Sequence, residues 1–365
     1  MQRTNKKIAS IGAVISLALA VAACSGGSGE ENAGARQTIE KPDKTITVVE
    51  TPAPAAGPIE VANIKNVEGM GNGFLTEDSL LVMKPNPDVE PIQVEGSTQP
   101  PNNLYAYDLN AGTAEAVNPE SQNQNFAVLS PDGKHLFYKQ NYEESAHGFI
   151  LNMETKEKVA TGDFLIEFGD AQWLDNSTVM FQTMEGALVA SDTEGNAEVL
   201  FEGPEDARIV SAAKTDEGLF YIAGEKLYFR ADGGSEPEEL SDSAVTVAAS
   251  PDGKQLALVR KATETTRTLY IVDPKGNELL KLGTATQVFG VAWSPDSTKV
   301  AYNLISEDGG EGGIVVADTL TGEATELSVD VQSAAATLRW SDSGKKLLAT
   351  TYKEEGFVSY VITLK

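Results

Sequence analysis

The chain has 365 residues, 28 lysines and arginines against 54 aspartates and glutamates, and a formal net charge of −26. That acidic excess excludes a binder of duplex DNA or RNA, which needs a basic face. One cysteine and two histidines, His135 and His147, exclude an internal disulfide and a multi-cysteine zinc site, and leave little for a histidine metal cage or a catalytic triad. A hydrophobic fraction of 41% is enough for a core, and 33 glycines with few aromatics suit many short strands joined by tight turns.

The N-terminus reads as an export signal. Arg3, Lys6 and Lys7 form a basic start, and an apolar run of 16 residues extends from Ile8 to Ala23. It is short of the roughly 20 residues of a membrane-spanning helix. The run ends Val21-Ala22-Ala23-Cys24, with small side chains that suit a signal peptidase cleft. With the cysteine placed directly after them, this resembles the bacterial lipobox. The resemblance implies cleavage between Ala23 and Cys24 and a diacylglyceryl group on the Cys24 sulfur, the nucleophile that takes the lipid. An ordinary secretory signal or an uncleaved anchor with an incidental cysteine is the alternative. Two acyl chains hold a protein stably on a bilayer where one does not, so the expected address is the outer, extracytoplasmic face of a bacterial cell membrane. No later segment is long and apolar enough to span a bilayer.

Residues 24–58 then read as the lipidated cysteine and its tether, Gly/Ser-rich at first and Pro/Ala-rich at the end. A stray strand at Ile46 to Glu50 is the one structured element the pattern allows there.

From residue 59 onward the chain repeats. FAVLSPDGKHLFYK (126–139), VAASPDGKQLALVR (247–260), VAWSPDSTKVAYNL (291–304), LRWSDSGKKLLATT (338–351) and AQWLDNSTVMFQT (171–183) share an apolar stretch, a polar turn and an alternating strand; GFLTEDSLLVMK (73–84) and AAKTDEGLFYIA (212–223) are weaker copies. Asp78, Asp132, Asp175, Asp216, Asp252, Asp296 and Ser343 fall in register, with a mean separation of about 44 residues. Propeller blades repeat at about 40–45 residues. In Ser-Pro-Asp-Gly, Pro fixes φ at the first corner, Asp bonds its own backbone and Gly accepts positive φ, which closes a hairpin. A second hairpin with an Asp/Asn/Gly turn follows each motif, as in LYIVDPKGNELLKL (269–282). The predicted fold is therefore all-β, a seven-bladed propeller of four-stranded antiparallel blades over residues 59–365. The last repeat has three strands, and the orphan segment IEVANIK (59–65) is expected to supply its fourth and seal the ring. Six blades, with Asp78 or Asp216 misread, is the alternative.

Ser-Pro-Asp-Gly-Lys at 130–134 and 250–254, Trp-Ser-Pro-Asp-Ser at 293–297 and Trp-Ser-Asp-Ser-Gly at 340–344, each followed by an apolar strand, resemble the TolB-type β-propeller repeat of bacterial envelope proteins over residues 59–365. The resemblance implies the fold and a binding style, as a protein-interaction platform or a gating domain, and no particular partner. The chain departs from TolB in carrying a lipobox and in lacking room for an N-terminal α/β domain. Enzymatic signatures are weak: there is no G-x-S-x-G elbow, Asp and Gly are adjacent in Asp132-Gly133 and Asp252-Gly253 without the spacer of a sialidase S-x-D-x-G box, and five arginines lie beyond the tether, Arg208, Arg230, Arg260, Arg267 and Arg339. The expectation is a non-enzymatic, monomeric scaffold without a cofactor, contacting membrane lipid through Cys24 and another envelope protein through its loops. The alternative is a propeller enzyme with a metal or small-molecule site in its central channel.

Trp173, Trp293 and Trp340 precede the turn at one repeat position and are expected to pack between blades. His135 is expected on a strand and His147 in a variable loop. The connections between the second and third strands of each blade vary most, and variable loops on one rim are the usual binding surface. Glu143, Glu144, Glu307, Asp308, Glu354 and Glu355 would make that rim acidic, suited to a basic protein or a cation such as Ca²⁺, or simply to solubility.

Overall fold

The computed structural model describes residues 36–41, 44–49, 59–94, 96–142, 145–166, 171–204, 207–234, 236–305, 313–327, 337–353 and 356–365. The chain divides into two units, residues 1–55 and 56–365. In the first, Arg36–Lys41 pairs antiparallel with Lys44–Val49. Residues 36–41 and 44–49 thus form a pair of strands where the sequence allowed at most one strand. The physical reason is the density of Thr, Ile and Val on both sides of 42–43, since β-branched residues favour extended backbone.

The second unit is a ring of seven four-stranded antiparallel sheets. Blade 1 begins with Met70–Thr76, blade 2 with Asn123–Leu129, blade 3 with Gln172–Trp173, blade 4 with Ile209–Thr215, blade 5 with Ala244–Ala249, blade 6 with Gln287–Trp293 and blade 7 with Thr337–Trp340. Each later strand of a blade pairs with the one before it. Asp78 and Asp216 both sit in real hairpin turns, between Thr76 and Ser79 and between Thr215 and Gly218. That settles seven blades over six.

The expected closure is present and somewhat longer than expected. Val61–Glu68 pairs antiparallel with Gly356–Leu364, from Val61 opposite Leu364 to Glu68 opposite Val358. Both ends of the chain therefore build blade 7, and its sheet has no missing fourth strand.

The repeated turn works as its residues dictate. Ser130 Oγ donates to Asp132 at 2.8 Å, Asp132 accepts from the Lys134 N–H, and the His135 N–H donates back to Ser130 Oγ at 2.9 Å. Gly133 takes φ +73°, where a glycine costs nothing. Ser250 and Asp252 repeat the pattern in blade 5, and Ser294 and Asp296 in blade 6, where Ser297 instead of glycine adopts φ +60°. These bonds hold the turn carboxylates low: the Ser130 hydroxyl and the Lys134 N–H pull Asp132 below the ordinary carboxylate value, and the Asn196 side chain does the same to Asp192 in the other hairpin of blade 3.

Apolar residues gather in seven clusters, one at each junction between neighbouring blades. Ala301, Ile314 and Leu327 of blade 6 meet Leu338, Leu347 and Ile362 of blade 7, for example, and Leu80 and Val82 of blade 1 meet Val67, Leu348 and Val361 of blade 7. The core is thus a ring of interfaces, stabilised where a strand face of one sheet packs on the next. The tryptophans lie at three of these junctions, as expected, and add a polar tie: Nε1 of Trp173, Trp293 and Trp340 donates to the carbonyl of Val128, Ala248 and Ala292 in the preceding blade, at 2.9–3.0 Å.

Candidate functional site

Strand polarity decides what each face of the ring carries. The innermost strand of every blade runs toward the Ser/Asp/Gly turns, so those turns and the second hairpin turns share one face. The connections between second and third strands, and those between blades, emerge on the other. The described strand ends that flank the variable segments therefore collect on one rim.

The predicted residues of that rim, Glu143, Glu144, Glu307, Asp308, Glu354 and Glu355, lie outside the described residues, as do Ala23 and Cys24. Their flanking strand ends are described: Tyr142 pairs with Ser145 and Lys353 with Gly356, and Ile305 and Gly313 bracket 306–312, all on the loop face. The connections are shorter than the sequence suggested. In blade 2 the strands extend to Tyr142 and resume at Ser145, which puts His147 on a strand opposite Gln140 rather than in a loop. Alternating burial, with Ala146, Gly148 and Ile150 buried and His147 and Phe149 half-buried, continues through it, and the pleat wins over the polar composition. His135 is on a strand as expected, tilted against Trp173 with ring centroids 6.4 Å apart.

Among described residues the loop face is acidic, with Asp88, Glu90, Glu185 and Glu264 on blades 1, 3 and 5. It also exposes apolar side chains. Tyr352, 62% exposed and edge-on to Phe357 at 5.2 Å, closes the second strand of blade 7, while Met184 and Val210 stand at the junction of blades 3 and 4. The connection of blade 1 carries its own small hairpin, Ile92–Val94 with Ser97–Gln99.

The second concave feature is the central channel, a cavity of about 340 Å³ touched by the inner strands of all seven blades. Much of its polar lining is engaged in joining blades. Asn72 Oδ1 accepts from the Ala127 N–H, Gln172 bonds both the N–H and the carbonyl of Lys214, and Ser211 Oγ does the same with Val247. Arg339, from blade 7, is the charged side chain among the described lining residues. No histidine, cysteine or carboxylate lines the described cavity, and no group of three or more such residues that could hold a metal ion occurs among the described residues. The residues present offer amides, hydroxyls and a guanidinium, a set for hydrogen bonding rather than for metal ligation. In the sequence Arg339 was one of five arginines, and nothing but its place just before Trp340 distinguishes it.

No family model matches the chain. No curated protein matches it in sequence. Among solved structures, an oligogalacturonate lyase in complex with manganese is similar at TM-score 0.60 and 14% identity, covering 91% of this chain and 96% of that one. The β-propeller domain of Myceliophteria thermophila Cps50 (Swd1) is similar at TM-score 0.58 and 11% identity, covering 83% of this chain and all 100% of that one. TolB from Acinetobacter baumannii aligns at 16% identity over 68% of this chain and 63% of that one, with a TM-score of 0.46, too low to argue from. At such identities the likeness is one of architecture, and the chain is a seven-bladed β-propeller.

Proposed function

We propose that the chain is a TolB-like propeller carried on a bacterial envelope lipoprotein: residues 1–23 are removed, Cys24 is diacylated, residues 25–58 tether the ring on the extracytoplasmic side, and the loop face binds another envelope protein. One observation carries the scaffold reading. The chain enters the ring on the turn face, where the Lys365 N–H donates to the Glu60 carbonyl and the Leu364 N–H to that of Lys345. Ile59 and Glu60, the first described residues of the ring, are therefore on the face opposite the variable loops, so a ring anchored ahead of them keeps its loop face available. Acidic loops with Tyr352, Met184 and Val210 suit a partner that presents basic residues around an apolar contact.

Two experiments test the two halves. Cells grown with an alkynyl fatty acid should label the wild-type chain and not Cys24→Ala; label retained in the variant removes the lipoprotein reading. A photo-crosslinking residue at Thr265 on the loop face should trap one envelope protein reproducibly, and the same residue at Lys254 on the turn face should not. Equal capture from both faces, or none from the loop face, removes the scaffold reading.

A further inference from the structure

Blades 3 and 4 meet on the loop face at a separate cavity of about 410 Å³. Glu185 and Gly186, from the turn between Thr178–Gln182 and Leu188–Asp192, line one side, and Glu202, Gly203 and Arg208, from the connection to blade 4, line the other. Backbone brings the two sides together. Gly186 takes φ +89° with its N–H donating to the Thr183 carbonyl, and a Cβ on Gly203 would come within 2.9 Å of the Gly186 carbonyl oxygen, so two glycines allow the close approach. The rim is fixed as well. The Met184 N–H donates to the Leu165 carbonyl at 2.9 Å, and the Met184 carbonyl accepts from Arg208 Nη2 at 2.8 Å. Ile166 bridges Ala146 of blade 2 and Thr183 of blade 3. Met184 is thereby held with its side chain 42% exposed, and the register shift between Ile209 and Ser211 turns Val210 out to 63% exposure. The charges on the cavity do not cancel. Glu120 and Glu225, elsewhere on the loop face, each hold a lysine, whereas Glu185 and Glu202 are exposed and have no ion pair or hydrogen bond among the described residues.

We infer that the loop-face contact is centred on this cavity, which takes one basic side chain of the partner between Glu185 and Glu202 while the apolar neighbours of that residue cover Met184 and Val210. The inference rests on the loop-face reading and narrows it to one seam and one kind of segment. Two unpaired carboxylates lining one cavity repel each other, and a cation placed between them replaces that repulsion with two attractions. Methionine adapts its shape to an apolar partner. A rim already fixed by hydrogen bonds loses little freedom on binding.

The probe is a rhodamine-labelled, C-terminally amidated peptide, Gly-Leu-Arg-Leu-Gly, measured by fluorescence polarisation with the full chain carrying Cys24→Ala. Binding should saturate at one peptide per chain and weaken as salt rises. Glu185→Gln combined with Glu202→Gln should weaken it roughly five- to thirty-fold, the worth of two partly exposed ion pairs, and should leave a peptide with glutamine in place of arginine unchanged. Met184→Ser should weaken both peptides alike. All three side chains are exposed, so urea midpoints should stay at the wild-type value. In cells, the crosslink formed from Thr265 should fall by a similar factor in the double variant. Non-saturating binding, equal affinity for the arginine and glutamine peptides, or a double variant that binds as before would overturn the inference. A Thr265 crosslink undiminished in the double variant would overturn it too, while leaving the loop-face reading standing, because the partner then sits elsewhere on that face.

Discussion

Blade 4 and blade 7 are the same sheet made in two ways. Blade 4 runs without interruption from Ile209 to Ser241, with two-residue turns at 216–217 and 224–225. Blade 7 joins residues 337–364 to a strand from the other end of the chain. Their neighbouring junctions differ accordingly. Ser211 ties blade 4 to blade 5 across 36 residues with two hydrogen bonds to Val247. Ser359 ties blade 7 to blade 1 across 288 residues: fully buried, it accepts from the Gly71 N–H at 2.7 Å, donates to the Gly69 carbonyl at 2.8 Å and lies 2.9 Å from Thr350 Oγ1, which in turn reaches the Gly71 carbonyl. An eightfold longer separation costs roughly 2 kcal/mol more in closure entropy, at about 0.6 kcal/mol per doubling. The distant junction is correspondingly denser in buried bonds. Local pairing builds each blade, and a concentrated polar knot with Val67, Leu80, Leu348 and Val361 around it holds the ring shut.

The sharpest way to break this comparison is to delete 59–68. It removes a whole antiparallel pairing and the buried Val67, a loss on the order of 5 kcal/mol, and bares a sheet edge that invites association. Urea denaturation and size-exclusion chromatography should show a lower midpoint and oligomers, whereas deleting 25–58 should change neither; an unaltered midpoint for the first deletion means the ring closes elsewhere. Next in size is Ser359→Ala, expected to cost about 3 kcal/mol because the Gly71 N–H and the Gly69 carbonyl stay buried without partners, against about 1 kcal/mol for Ser211→Ala. Equal losses in urea melts would erase the distinction between the two junctions. Gly69→Ala probes the same knot by geometry. Gly69 holds φ +106° and a Cβ there would fall 2.8 Å from the Met83 carbonyl oxygen, so a loss of about 1–3 kcal/mol is expected. Trp340→Phe keeps the ring but drops the bond to Ala292 and should cost about 1 kcal/mol in the same assay.

The smallest effect is one of pH. Asp132, held low by the Ser130 hydroxyl and the Lys134 N–H, and Asp175, held low by the Ser177 N–H, bind protons more readily unfolded than folded. Their contribution is full above about pH 4 and fades as the pH falls through the lowered folded values. In blade 7 Ser343 stands at the Asp132 position, and the carboxylate on that turn comes from blade 1: Glu77 accepts from the Ser343 N–H and, against the burial that raises it, is held low by the Ser343 N–H and hydroxyl. Hydrogen exchange between pH 5 and 3 should therefore accelerate, beyond the intrinsic pH effect, at both Lys134 and Ser343, and in Glu77→Gln at Lys134 alone. Unchanged acceleration at Ser343 in Glu77→Gln would show that the turn carboxylates are not responsible.

The architecture was legible because it rests on local chemistry repeated in register. Ser, Pro, Asp and Gly impose a hairpin wherever they occur together, the alternation of apolar residues fixes which face of each strand is buried, and the count of such units with one orphan strand predicts the closure. Even the weak copies around Asp78 and Asp216 obeyed that grammar. His147 did not, since a polar stretch was read as a loop where pairing with Gln140 kept it in the sheet.

What the sequence could not state is which side chains from distant repeats meet. Arg339, Phe126 and Phe181 come from blades 7, 2 and 3 and share a cavity only because the ring curves them onto one axis. The positive φ of Phe126 arises from a register shift that no local pattern announces. Ser359, Thr350 and Gly71 become one buried network only after the two chain ends have met. Turns and strands follow from neighbours a few residues apart, whereas a channel and a closing junction follow from packing across hundreds of residues, and that packing was decided by the tertiary structure alone.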